Sequence, residues 1–160
     1  MKFTSNTVKT TIGAAGIAVI GVFGAGIATA APPAIQAFGT SERLVDGALV
    51  TAYTVSNLQP TNITIPGYTP QGKLYQANIT AKSDGGTVTP LISDFNARAA
   101  NGQTYRVIDT VATPNGISPA PLNQGQESNG KIYFDVTGAP PNGVVYNDGV
   151  QDVLIWTSNV

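Results

Sequence analysis

Cysteine and histidine are both missing from the 160-residue chain. Without cysteine there is no disulfide, no thiolate nucleophile and no sulfur ligand for a metal. Without histidine the commonest general base and the commonest metal ligand are gone, and every Ser-His-Asp or Cys-His scheme goes with them. Charge is also scarce. Asp, Glu, Lys and Arg make up 11% of the residues, against about 25% in an ordinary soluble domain. After residue 31 there is no internal repeat, no charge run and no 3.6-residue apolar period.

The charges that remain are unevenly placed. Lys2 and Lys9 precede an apolar stretch, Thr11 to Ala28, built mostly of Gly, Ala, Ile and Val with Phe23. Ala28-Thr29-Ala30 and then Ala31-Pro32-Pro33 follow it. A basic start, an apolar middle and a small-residue A-x-A site, in that order, are the parts of a secretory signal peptide. The order predicts cleavage between Ala30 and Ala31, a leader over 1–30, one domain over 31–160 and a secreted, extracellular product. A retained anchor fits less well. The stretch is near the lower length limit for a bilayer span, contains five glycines and no leucine, and is followed by no basic cluster before Arg43.

All nine acids lie beyond the leader, with six cations, so 31–160 carries a net charge of −3. That balance argues against nucleic acid, whose affinity comes from neutralised phosphates, and against an anionic membrane surface after cleavage. A domain of this length can bury roughly two-thirds of its unfolded surface. It can therefore do without the disulfides that exported small domains commonly use.

Turn chemistry is the clearest local signal. Asp46-Gly47, Asp84-Gly85, Asn101-Gly102, Asn115-Gly116, Asn129-Gly130, Asn142-Gly143 and Asp148-Gly149 all pair residues that tolerate positive φ. Read as turns, they divide the chain into short strands of a sandwich or barrel. Leu74 to Lys82 alternates, with Tyr75, Ala77, Ile79 and Ala81 on one face. Leu49, Tyr53 and Val55 form a similar stripe. Phe95, Ala97 and Ala99 lead into Asn101-Gly102, and Tyr105 and Val107 lead out, which predicts a hairpin. Ile132, Phe134 and Val136 alternate with Lys131, Tyr133 and Asp135. Val153-Leu154-Ile155-Trp156 is apolar on both faces and reads as a central, doubly covered strand with 144–146 as its companion. Segments 58–72 and 112–126 hold six prolines and read as irregular connections.

The residues that could still carry chemistry are few. Ser128 and Lys131 could form a Ser-Lys pair, but three residues apart on a strand they face opposite ways. Asp94, Asp109, Asp135, Asp148 and Asp152 could supply the paired carboxylates of a glycoside hydrolase; solvated acids at turns are the commoner finding. Asp148 to Asp152 lacks the ligand spacing of a calcium loop and reads as a turn with a strand-opening acid. Asn62-Ile63-Thr64 and Asn78-Ile79-Thr80 match a glycosylation acceptor of low specificity. Tyr53, Tyr68, Tyr75, Tyr105, Tyr133 and Tyr146 could form a recognition surface, though such residues more often pack into or rim a core. No catalytic, cofactor-binding or metal-ligating set emerges.

Several runs resemble a mycobacterial secreted antigen family, the immunoprotective (immunogenic) extracellular proteins. They are Ile65-Pro66-Gly67-Tyr68, Val88-Thr89-Pro90, Phe95 to Arg98, Asn101-Gly102 and Tyr105-Arg106-Val107. Gln124-Gly125, Gly130 to Gly138 and Asp152 to Trp156 complete the set. The resemblance covers nearly all of 31–160 and is weakest over 31–50. It implies an all-β, antiparallel immunoglobulin-like β-sandwich, secretion by a mycobacterium or a close relative, and recognition by host immunity in pathogenic members. It implies no enzymatic activity and supplies no site residues. The Cys…Trp…Cys signature of antibody domains is absent. The expected function is therefore that of a secreted, non-enzymatic antigen or adhesin-like binding module for a host or cell-envelope macromolecule. A secreted carbohydrate-active hydrolase using paired aspartates is the alternative.

Overall fold

A computed structural model describes residues 31–160; the leader read in residues 1–30 lies outside the described residues. The strands are β1 (Ala34–Ala37), β2 (Ser41–Asp46), β3 (Leu49–Pro60), β4 (Lys73–Gly85) and β5 (Phe95–Ala99). β6 (Thr104–Arg106), β7 (Glu127–Val136), β8 (Pro141–Asn147) and β9 (Asp152–Thr157) follow, and one 3-10 turn spans Ile92–Asp94. They form a sandwich of two sheets, ordered β1-β9-β8-β5-β6 and β2-β3-β4-β7. Every strand pair is antiparallel except β1 with β9, which run parallel from Ala34 opposite Leu154 to Ala37 opposite Thr157.

Period-two patterning produces the sheets as expected. In β4, Ala77, Ile79 and Ala81 are buried while Asn78 and Thr80 stay half-exposed. The predicted hairpin is β5–β6, turning at Gly102 with φ +87°. β2 and β3 join through Gly47-Ala48, where Gly47 at φ +59° takes the first position of a tight hairpin turn.

Three of the seven Asx-Gly pairs are not turns: Asp84-Gly85 ends β4, Asn129-Gly130 lies inside β7 and Asn142-Gly143 inside β8. Their glycines serve close approach instead. A Cβ on Gly130 would sit 2.4 Å from the backbone N and Cα of Ile117, which crosses the edge of β7 there. A Cβ on Gly143 would sit 3.1 Å from the carbonyl of Trp156. β9 also differs from expectation. Leu154 and Trp156 are buried, but Val153 and Ile155 are only half-buried. The third difference is Tyr133. Its parity places it on the outer face of β7, yet it is fully buried. The connections around Ile65 and Ile108 fold over that face and make a second, smaller apolar cluster of Ile65, Leu74, Ile108 and Tyr133.

The main core is closed by four rings. Tyr53 from the four-stranded sheet meets Phe95 edge-on at 5.1 Å and stacks on Tyr146 at 5.7 Å. Phe95 in turn contacts Tyr146 at 5.3 Å and Trp156 at 6.1 Å. Such pairs each add about 0.5–1.5 kcal/mol beyond area burial. The Trp156 indole N–H donates to the carbonyl of Thr40 at 2.9 Å, fastening the crossover between the sheets.

Of the buried polar residues Glu42, Thr51 and Ser83, one carries an ionisable group. Glu42 in β2 lies opposite Tyr53, is 5% exposed, and neither carboxylate oxygen finds a hydrogen-bond partner among the described residues. Burial pushes its pKa up to about 8. The folded chain therefore keeps this proton over a range where the unfolded chain has lost it. Stability is expected to be full below about pH 4.5 at this group and to fall as pH rises through about 8. Urea midpoints of the native chain should drop between pH 5 and pH 8.5, by the equivalent of a few kcal/mol at about 1.4 kcal/mol per unit. Those of Glu42→Gln should change far less, leaving the variant the more stable protein at pH 8.5. A second expectation concerns Gly130. Gly130→Ala should destabilise by roughly 1–3 kcal/mol, the usual cost of overpacking, read as a lowered urea midpoint at unchanged slope.

Candidate functional site

The described residues offer two features with the form of a binding site. The first is a cleft of about 750 Å³ on the side of the sandwich where β6 and β7 face each other. Its outer wall is the segment that leaves β6, runs along β7 and returns to it. Three backbone hydrogen bonds fasten this segment: Ile108 N–H to the Tyr133 carbonyl at 2.8 Å, Lys131 N–H to the Asn115 carbonyl at 2.8 Å, and Ile117 N–H to the Lys131 carbonyl at 3.2 Å. The Tyr133 hydroxyl adds a fourth bond, donating to the Pro114 carbonyl at 2.7 Å. Between these posts Val111 packs against the cluster of Ile65, Leu74, Ile108 and Tyr133. The inner wall comes from Pro90, Leu91 and Ile92, whose position is fixed by Leu91 N–H donating to the Tyr53 hydroxyl at 3.3 Å. Ile132 forms part of the floor.

Lys131 and Asp109 are the charged residues lining this cleft. Lys131 is half-buried and Asp109 exposed, and neither takes part in an ion pair among the described residues. Of the other cations, Arg43 and Lys82 share Asp84, Arg98 holds Asp152, and Lys73 donates to Asn62.

The second feature is the outer edge of β1. All four of its residues, Ala34, Ile35, Gln36 and Ala37, are exposed and uncharged, and Ile35 is 51% exposed. The other sheet edges are guarded in ways known to discourage strand addition. β2 carries Glu42, Arg43 and Asp46, and β6 is three residues long and ends on Arg106. The edge of β7 is occupied by Ile108, Asn115 and Ile117. Ile35 lies beside Ile155, and Ile155 beside the fully buried Val145, so an apolar row runs inward from β1.

The aspartates singled out in the sequence occupy separate posts. Asp135 accepts from the Tyr68 hydroxyl at 2.9 Å and from the N–H groups of Gln71 and Gly72 at 2.7 and 2.8 Å, pinning the 61–72 connection. Asp94 accepts from the Tyr146 hydroxyl at 3.1 Å. Asp148 accepts from the N–H groups of Val150 and Gln151, which hold its pKa down. Asp152 is buried enough to lose some hydration, but Arg98 and Asn147 outweigh that and hold its pKa down too. The one acid whose pKa rises is Glu42, whose surrounding residues gave no hint of burial. Ser128 and Lys131 lie on opposite faces of β7, opposite Ala81 and Asn78 respectively. No helix among the described residues is long and apolar enough to cross a membrane.

The fold and sequence have known counterparts. Residues 33–156 match a family described as a domain of unknown function (DUF1942). The immunogenic protein MPB63 of Mycobacterium bovis is 42% identical over 158 residues, covering 98% of this chain and 99% of the relative. The immunogenic protein MPT63 of Mycobacterium tuberculosis matches to the same extent. The crystal structure of MPT63, described as a secreted protein, superposes with a TM-score of 0.77 at 43% identity, covering 79% of this chain and 98% of that one. The chain thus belongs to the DUF1942 family, together with the mycobacterial immunogenic proteins MPB63 and MPT63.

Proposed function

We propose that this protein is exported, cleaved between Ala30 and Ala31, and works outside the cell as an immunogenic binding module rather than as an enzyme. In this reading it engages a host or cell-envelope macromolecule by adding a partner strand to β1. The observation that carries the reading is the β1 edge. Among the described residues it has no strand on its outer side, and its side chains are uncharged, which is the chemistry of strand addition. Two further points support it. The relatives are named as immunogenic proteins, and one is described as secreted. The downward shifts at Asp148 and Asp152 are the reverse of what a general-acid carboxylate requires.

Placing a charge on the edge is the direct test. Ile35→Lys should leave the unfolding free energy from urea titration within about 0.5 kcal/mol of the native value, as exposed substitutions usually do. It should cut capture of partner protein from envelope or host extracts at least tenfold, measured with immobilised 31–160. Equal capture by the variant would remove β1 from the interface. Release of reducing sugar from envelope polysaccharide by the native protein, lost on substituting a single aspartate, would favour hydrolysis instead.

A further inference from the structure

The Asn-Gly pairs at 101, 115, 129 and 142 differ in how firmly the peptide group between the two residues is held. An asparagine followed by glycine can lose its side-chain amide without an enzyme, because no Cβ on the next residue obstructs that residue's backbone nitrogen as it turns onto the asparagine Cγ. The turn requires the shared peptide group to pivot. Asn129-Gly130 and Asn142-Gly143 are locked in the ladders of β7 and β8. In Asn115-Gly116 the group is held at both ends: the Asn115 carbonyl accepts from the Lys131 N–H at 2.8 Å, and the Gly116 N–H donates to the Thr113 carbonyl at 3.1 Å. Among the described residues Asn101-Gly102 is held at one end only, by the Gly102 N–H on the Ala99 carbonyl at 2.9 Å. Both of its residues are exposed at the tip of the β5–β6 hairpin.

The Asn101 side chain is also placed for the reaction. Its Oδ1 accepts from the Gln103 backbone N–H at 3.1 Å, so the amide carbonyl is polarised and the oxyanion formed on attack has a donor in position. Its Nδ2, the atom that leaves as ammonia, donates to Gln103 Oε1 at 3.1 Å. That same Oε1 accepts from the Ala139 N–H at 2.9 Å. The Gln103 side chain lies so close over Gly138 that a Cβ there would come within 2.7 Å of its amide. One side-chain amide thus ties the tip of the β5–β6 hairpin to the β7–β8 connection.

We propose that Asn101 is a site of spontaneous deamidation, and that its conversion to a carboxylate releases the β7–β8 connection from Gln103. The Gly102 nitrogen forms a bond to Asn101 Cγ and gives up its proton; the Cγ–Nδ2 bond breaks, and Nδ2 leaves with that proton as ammonia. One water molecule then opens the cyclic imide. Attack at Cγ restores the main chain with aspartate, whereas attack at the main-chain carbonyl leaves isoaspartate, whose main chain runs through the side-chain methylene. Aspartate places a carboxylate oxygen where Nδ2 stood, facing Gln103 Oε1 with no proton between them. The Gln103 amide can turn its NH2 to the new carboxylate only by turning its oxygen away from Ala139, so the bond to the Ala139 N–H is lost. The site lies beside β6, at the edge of the sheet opposite β1, and is independent of strand addition there.

Incubating the folded 31–160 protein in mildly alkaline buffer and mapping its peptides by mass spectrometry tests the proposal. Trypsin cuts after Arg98 and Arg106, and the peptide between them holds Asn101 as its one asparagine. Conversion at Asn101 should run at least about tenfold faster than at Asn115, Asn129 or Asn142, since a single positioned oxyanion donor is worth about 10²–10³ in rate. In the urea-unfolded chain the four pairs should convert at similar rates. Asn101→Asp should speed hydrogen exchange at the Ala139 amide about fivefold, the factor that corresponds to ~1 kcal/mol for one lost hydrogen bond. Gln103→Ala should speed it to the same extent with no new charge, and Asn115→Asp should leave it unchanged. No conversion at Asn101, equal conversion at another Asn-Gly pair of the folded protein, the same preference in the unfolded chain, or unchanged exchange at Ala139 in Asn101→Asp would each overturn the proposal.

Discussion

The structure depends on rings whose bodies lie in the sandwich and whose polar tips hold its connections. No sulfur bridge is available to tie the two sheets, and strand pairing acts only within each sheet. Tyr53, Phe95, Tyr146 and Trp156 make the tie by contact across the core. Their polar atoms then reach out of it: Trp156 to Thr40, Tyr53 to Leu91, Tyr146 to Asp94. Tyr105 does the same for the β7–β8 connection, donating to Ala139 at 2.8 Å, and Tyr68 and Tyr133 for the two long connections. A buried hydroxyl left without a partner would cost about 1–3 kcal/mol. Each ring therefore stabilises a loop and is stabilised by it. The tyrosines act as pins between core and loops, and the surface they shape is made of other residues.

That arrangement explains which features could be read from the sequence. Alternation is a property of neighbouring residues, so β4, the β5–β6 hairpin and the core face of β7 follow directly from Ala77-Ile79-Ala81, Phe95-Ala97-Ala99 and Ile132-Phe134-Val136. Glycine is ambiguous by the same standard. Gly102 and Gly149 are turn glycines with positive φ, whereas Gly130 and Gly143 are strand glycines that let other backbone come close. The dipeptides Asn-Gly and Asp-Gly look alike in both settings. What distinguishes them is a crossing segment more than ten residues away in sequence, and no local pattern contains that information. Ile155, expected to be covered on both faces and found half-buried, departs for a related reason. Local order gives the face on which a side chain lies, but not whether another layer covers that face.

The candidate sites were legible to very different degrees. In the sequence Lys131 is half of a Ser-Lys candidate with Ser128 and Asp109 one of five candidate aspartates, and the proline-rich stretch 112–126 reads as irregular chain. Their meeting at one cleft follows from hydrogen bonds between Ile108, Asn115 and Ile117 and the edge of β7. The same bonds close that edge to strand addition. Among the described residues the other edge of the five-stranded sheet has no such cover, and the parallel strand β1 ends it with four exposed residues. One side of the molecule has thus used its backbone and offers a concave group of side chains. The other has used few side chains and offers backbone.

Glu42 completes the comparison. A carboxyl with no partner inside a core weakens the fold wherever it must ionise, and a neutral residue of the same shape would avoid the loss. It sits on β2, directly after the Phe38–Thr40 crossover that Trp156 holds and that joins β1 to the other sheet. The acid thus lies on the strand that follows the joint carrying β1, while the cleft between β6 and β7 lies at the far edge of both sheets.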